Sequence, residues 1–160
     1  MTEVMTETML AYCPHCWAAV PVKAQVCPAC GAVIEDAGAD VVDKYIAALQ
    51  HPQAETRLRA AWMLGRMREA RAVPALLAVV AAQGDDDPYL LSAAVKSLGQ
   101  IGDEQAVPAL IGLLAERGAS FMVRNAAMHA LADIGGEDAW AALDKAADEV
   151  FSEGARRDAS

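Results

Sequence analysis

From residue 40 onward the apolar positions recur in blocks with a nearly fixed step. RLRAAWMLGRM (57–67), LSAAVKSLGQI (91–101) and RNAAMHALADI (124–134) each carry paired alanines ahead of a leucine. This spacing draws a narrow apolar stripe along one side of a helix. Leu64, Leu98 and Leu131 are separated by 34 and 33 residues, as are Ala60, Ala94 and Ala127, and Met67, Ile101 and Ile134. A second block keeps the same step: AVPALL (72–77), AVPALI (106–111) and AWAALD (139–144). Each unit is predicted to be a pair of helices. The first helix begins near Val-Pro, with Pro74 and Pro108 in the first turn, where a missing N–H costs nothing. Gly65, Gly99, Gly102 and Gly135 are expected to break or end the second helices. The run DDDP (85–88) is rich in residues that cap a following helix. VVDKYIAALQ (41–50) supplies a first helix for the leading unit, and residues 137–151 a closing half-unit, giving about seven helices.

The same periodicity sorts the faces. On the second helix of the first unit, Ala60, Met63, Leu64 and Met67 point to the core. Arg59, Trp62 and Arg66 form the opposite stripe. Its counterparts are Ala93, Lys96 and Gln100, then Ala126, His129 and Asp133, with Asn125 alongside. Trp140 aligns with Val73 and Val107 and is expected in the core. His51, before Pro52, is explained by a turn.

The pattern R-x-x-A-A-x-x-L-G-x-I followed by A-V-P-A-L resembles the short HEAT repeats typified by phycobilisome-lyase-like HEAT proteins, over roughly residues 40–147. The second unit departs from it, with Leu91 where the others have Arg57 and Arg124. The resemblance implies an all-α, right-handed solenoid of about three and a half helix pairs. It does not fix a function.

The residues ahead of the repeats are different in kind. Cys13-x2-Cys16-x10-Cys27-x2-Cys30 contains all four cysteines of the chain. Two Cys-x-x-Cys knuckles facing each other supply four sulfurs for a tetrahedral metal site. Pro14 and Pro28 pre-set the turns, and Gly31 can adopt positive φ. WAAVPVKAQV is expected to form two short strands bent near Pro21, with a third at 32–34, and Trp17 to pack over its knuckle. The segment looks like a small β zinc ribbon holding one structural Zn2+. A piece this short buries too little apolar surface to fold without its metal. Read alone, Cys13-Pro14-His15-Cys16 resembles the active-site tetrapeptide of periplasmic thiol oxidases, which keeps redox chemistry open beside zinc, as iron is. The expected organisation is a ribbon at 9–36, a solenoid at 40–151, and flexible tails at 1–8 and 152–160. The ribbon and the acidic last helix could close the two ends of the stack.

Composition narrows the function. Hydrophobic residues make up 55% and aromatics 5%, which suits a core of small helix-favouring side chains. A formal net charge of −9 argues against a general nucleic-acid binder or an anionic-membrane binder. The start has no basic region followed by an apolar one, and no stretch is long enough for a bilayer. A cytoplasmic location is expected. Charge is uneven: residues 57–71 hold five arginines against Glu69, while 133–158 hold eight acids. Arg59, Trp62, Arg66 and Lys96, with Gln100, Asn125 and His129 further along, are the candidate partner-binding residues, suited to an acidic or aromatic peptide segment of another protein. The leading reading is a non-catalytic adaptor or scaffold, not an enzyme, that binds its partner on the concave face of the repeats, which the second helices are expected to line. One alternative is a bilin-lyase-type enzyme or subunit, which the repeat resemblance implies. Another is weak nucleic-acid binding through the ribbon and the Arg cluster. No His-Glu dipeptide is present for a di-iron site of the kind some HEAT-like enzymes hold.

Overall fold

The structure is a computed structural model that describes residues 10–13, 15–21, 24–34, 40–82, 87–116 and 118–157. The expected tail at 1–8 lies outside them, as do residues 35–39, between the ribbon and the first helix. Seven helices follow an N-terminal two-stranded element: α1 (Val41–Ala48), α2 (Ala54–Met67), α3 (Val73–Ala81), α4 (Pro88–Ile101), α5 (Val107–Ala115), α6 (Phe121–Ile134) and α7 (Glu137–Arg157). Short 3-10 turns at Ala70–Ala72 and Glu104–Ala106 lead into α3 and α5.

The helix starts follow from local chemistry. Asp87 caps α4, its side chain accepting from the N–H groups of Tyr89 and Leu90, and Pro88 occupies the first turn. Ser120 caps α6 by accepting from Val123 N–H. Asp40 caps α1 through Val42 N–H. Each such cap contributes about 1 kcal/mol. Gly102 and Gly135 end α4 and α6 in the positive-φ conformation, while the aligned Arg68 ends α2 at φ 53°. The last helix runs to Arg157, past residue 151, where the sequence reading began a tail. Its Glu, Ala and Arg residues are good helix formers, and Gly154 costs only about 1 kcal/mol.

The helices form two layers. The second helices α2, α4 and α6 pack side by side, and α1, α3, α5 and α7 cover them on the opposite side. Between the layers lie Leu64, Leu76, Leu98, Leu110 and Leu131, all fully buried. Each contributes about 1.5–3 kcal/mol of burial.

Contact within the second-helix layer is unusually close, and this corrects the reading of two glycines. Gly65 and Gly99 lie inside α2 and α4 and are buried. A Cβ at Gly99 would sit 2.6 Å from Cα of Ala130, and one at Gly65 would sit 2.7 Å from Cα of Ser97. These glycines let backbones meet; they do not stop helices. Beside Gly65, Ser97 Oγ donates a buried hydrogen bond of 2.7 Å to the carbonyl of Ala61. Met63, assigned to the core from periodicity, is only half-buried, and Ala61 is buried instead. The apolar stripe is rotated toward the next repeat because each second helix contacts its neighbour as well as the first helices.

Candidate functional site

In the N-terminal segment, β1 (Leu10–Tyr12) pairs antiparallel with β2 (Ala19–Pro21), with Ala11 opposite Val20. Val26 and Val33 form a single bridge. One strand therefore lies ahead of the first cysteine pair, where the sequence reading had placed none. Around 26 and 33 a single bridge is seen, in the register equivalent to Tyr12 and Ala19, and the residues that would continue it past 34 lie outside the described ones.

The two knuckles repeat one hydrogen-bond pattern. Cys13 N–H donates to Ala18 O at 3.0 Å and Trp17 N–H to Cys13 O at 2.9 Å; Cys27 N–H donates to Ala32 O and Gly31 N–H to Cys27 O, each at 2.8 Å. The residue after each pair takes positive φ, 72° at Gly31 and 59° at Trp17. Gly31 does so freely. A tryptophan there works against its own Cβ by about 1–2 kcal/mol.

The conformation of Trp17 is explained by its contact. Its ring packs edge-on against His51, with centroids 4.6 Å apart, and Tyr12 approaches the same imidazole at 5.6 Å. His51 is buried, and its Nδ1 accepts from Gln53 N–H at 3.0 Å. Arg57 Nη1 donates to the His51 carbonyl at 3.0 Å. The ribbon thus rests on the α1–α2 turn, and His51 is the residue it grips. Its place before Pro52 predicts a turn but not this contact.

The four sulfurs converge. Cys13 Sγ lies 3.7 Å from Cys30 Sγ, Cys16 Sγ lies 3.6 Å from Cys27 Sγ, and all four fall within 4.8 Å of one another. These are free thiols, since a disulfide needs about 2.05 Å. A tetrahedron with metal–sulfur bonds of about 2.3 Å has edges of about 3.8 Å, so the set fits a four-thiolate metal ion. Cys13 and Cys27 are buried, while Cys16 and Cys30 are exposed. β2, not a helix, follows Cys16, so the first pair lacks the helix N-terminus that activates a redox thiol.

The thiols do not ionise alike. Burial opposes the Cys13 thiolate, but the amides of Cys16 and His15 and the thiols of Cys27 and Cys30 outweigh it and bring Cys13 to about 6. At Cys16 the Ala18 amide favours the thiolate, yet Cys30, burial, Cys27 and Cys13 together push it up to about 12. Cys30 has help from the Ala32 amide and Cys16, but burial and the other two thiols leave it raised. One thiolate thus forms readily, and further negative charge in the cluster needs a cation to balance it.

The outer face of the second helices carries the other candidate residues. Arg59, Trp62 and Arg66 are exposed on α2, Lys96 and Gln100 on α4, and His129 and Asp133 on α6. Trp62 is 50% exposed, and the Arg66 guanidinium stacks over its ring at 4.8 Å. Trp62, Lys96 and His129 occupy equivalent positions on three adjacent helices. Ala93 is half-buried and Ala126 fully buried, because each faces the preceding second helix. Arg59 is open because α2 has no predecessor among the described residues. Asn125, in register with Leu58 and Ser92, lies beside the row, toward the following repeat.

Two of the five arginines are already engaged. Arg57 holds the His51 and Pro52 carbonyls. Arg71 binds Asp40 and reaches Asp43 at 3.5 Å and Glu69 at 3.7 Å. Its hydrogen bond lowers the Asp40 carboxyl below the usual range. Trp140 is corrected outright: it is 53% exposed, whereas the aligned Val73 and Val107 are buried. The helices that hold those valines, α3 and α5, pack against a following second helix, α4 and α6, and none follows α7 among the described residues.

No described helix is long and apolar enough to cross a membrane. A search of curated proteins finds no match. The family model for PBS lyase HEAT-like repeats matches residues 56–81, covering α2 and α3. The model for HEAT repeats, modules that commonly mediate protein interactions, matches residues 78–159, more than half of the chain. With paired helices stacked at a 33–34-residue step, the chain belongs to the HEAT-repeat family.

Proposed function

We propose that the protein is a non-catalytic interaction module whose ribbon holds one structural Zn2+. The binding surface is the outer face of α2, α4 and α6. The observation that carries this reading is the exposed Trp62 with Arg66 stacked on it, flanked by Arg59 and followed by Lys96. A half-exposed aromatic beside cations suits an acidic or aromatic peptide segment: the ring supplies apolar area and the guanidinium groups bind carboxylates. Gln100, Asn125 and His129 extend the same surface with polar contacts. Four sulfur ligands suit zinc, and a closed set leaves no open position for substrate, which makes the ion's role structural. The zinc is a structural support for the ribbon, whose grip on His51 steadies the α1–α2 turn from which α2 begins.

The test is affinity purification with the wild-type chain and with Arg59→Ala/Trp62→Ala/Arg66→Ala. These side chains lie at the surface, so the variant should keep its circular dichroism and melting profile. The reading expects a protein retained by the wild type and lost by the folded variant. Equal recovery by both would remove this face from consideration. The PBS lyase HEAT-like match supports a second reading, a bilin-lyase type of activity. Tetrapyrrole binding followed by transfer to a protein thiol would replace the adaptor reading with it.

A further inference from the structure

The two cysteine knuckles share one backbone pattern but fill one position differently. Gly31 takes φ 72° and Trp17 takes φ 59°, each directly after its cysteine pair. The amide bonds around Cys27 and Cys13 are the same in both, so the knuckle imposes this conformation on whichever residue follows. Glycine meets it freely, whereas the Cβ of tryptophan opposes it. What tryptophan adds is its ring, which lies against His51 and seats the ribbon on the α1–α2 turn. His51 is 4% exposed, while His129 is open to solvent. Strain of this kind persists only while the surrounding structure enforces it. Here the enforcing structure is the first knuckle.

The sulfurs supply a trigger for releasing it. Each exposed cysteine has a buried one of the other knuckle beside it: Cys16 Sγ lies 3.6 Å from Cys27 Sγ, and Cys30 Sγ lies 3.7 Å from Cys13 Sγ. An accessible sulfur with a second one in reach is the arrangement of an oxidant-sensing pair. A disulfide needs about 2.05 Å, so a small closing movement joins either pair. The bond consumes the same sulfurs that would hold the metal, so disulfides and a four-thiolate site exclude each other.

We propose that the ribbon is a redox latch, closed on His51 when it holds zinc and opened by a hydroperoxide. The Cys16 sulfur attacks the outer peroxide oxygen; an S–O bond forms, the O–O bond breaks, and an alcohol leaves with a proton. The Cys27 sulfur then attacks the Cys16 sulfur; the S–S bond forms, and the hydroxyl departs as water with a second proton. The two cysteines lose two electrons between them, and the hydroperoxide gains them. Cys30 and Cys13 follow the same course with a second hydroperoxide. With its ligands gone the metal leaves, the first knuckle relaxes, and Trp17 returns to negative φ and carries its ring off His51. The latch rests on the zinc reading of the ribbon and is independent of the Trp62 face.

The test uses the full chain loaded with zinc and treated with tert-butyl hydroperoxide. A chain that takes up no zinc would overturn the zinc reading, and the latch with it; a loaded chain tests the latch alone. A chelating indicator follows zinc release, mass spectrometry maps disulfides, and diethyl pyrocarbonate labelling reads the accessibility of His51. Zinc should leave in step with Cys16–Cys27 and Cys13–Cys30 disulfides. His51 labelling should rise at least about tenfold, as local opening requires, with His129 labelling and the helical circular dichroism unchanged. A thiol reductant with zinc should restore protection. Removing zinc with a chelator, without oxidant, should also expose His51. Trp17→Gly should keep its zinc, as Gly31 shows that glycine suits the knuckle, yet leave His51 reactive before any oxidant is added. Disulfides confined to Cys13–Cys16 and Cys27–Cys30, zinc release that leaves His51 protected, loss of the helical signal on oxidation, or a protected His51 in Trp17→Gly would overturn the proposal.

Discussion

Gly99→Ala and Gly112→Ala are the same substitution in two helices and should act in opposite directions. At Gly112 on α5 an added Cβ meets nothing within 4 Å. There alanine brings only its better helix propensity and the smaller conformational freedom of the unfolded chain, so stability should rise by about 0.5–1 kcal/mol. At Gly99 the same methyl would lie 2.6 Å from Cα of Ala130, a backbone atom that cannot swing aside. Relief requires α4 and α6 to separate, at an overpacking cost of about 1–3 kcal/mol. The propensity gain offsets up to about 1 kcal/mol of this. The net result is a loss of up to about 2 kcal/mol, or several degrees in Tm for a chain of this size. Urea unfolding of metal-loaded protein, followed by circular dichroism, reads both variants against wild type. If Gly99→Ala is as stabilising as Gly112→Ala, the helices are not in backbone contact there, and the account of the second-helix layer is wrong.

Other consequences follow from the ribbon. Zinc binding near pH 7.5 should release at least about two protons, because the thiols of Cys16 and Cys30 are raised and must ionise to bind. Metal affinity should then fall as pH falls, which indicator titration in weak buffer measures directly. Cys16→Ser should lower zinc content and abolish ribbon structure while leaving most of the helical signal, since α1–α7 carry their own core. His51→Ala should loosen the ribbon without removing its metal, seen as increased amide exchange at Tyr12 and Trp17 with unchanged zinc content. Acidification should weaken the Asp40–Arg71 contact: the lowered Asp40 carboxyl contributes stability above its unfolded range, and this is lost as pH falls through its folded value.

The repeat step was legible because Leu64, Leu98 and Leu131 mark it without ambiguity, and the four cysteines because their spacing has few other uses. Periodicity did not reveal how the layers meet. Gly65 and Gly99 read as breakers in the sequence, whereas in the fold the Ser97 and Ala130 backbones lie against them. Trp140 aligned with two core valines, but burial depends on a following helix that no alignment of internal repeats reveals. Trp17 at positive φ was not foreseeable either, since its conformation is set by His51, 34 residues further along the chain. For His51 the only available signal was its place in the first turn between repeat helices, next to an aromatic-bearing ribbon. Of the arginine-rich segment, charge alone could not show that Arg57 and Arg71 are held by local carbonyls and carboxylates, leaving Arg59 and Arg66 beside Trp62.

Amide hydrogen exchange of the chain, with and without the partner recovered by affinity purification, tests the central claim most directly. Binding on the second-helix face should slow exchange in α2 around Trp62 and in the neighbouring part of α4 around Lys96, with α3 and α5 unchanged. Protection confined to α3 and α5, or to the ribbon, would contradict it.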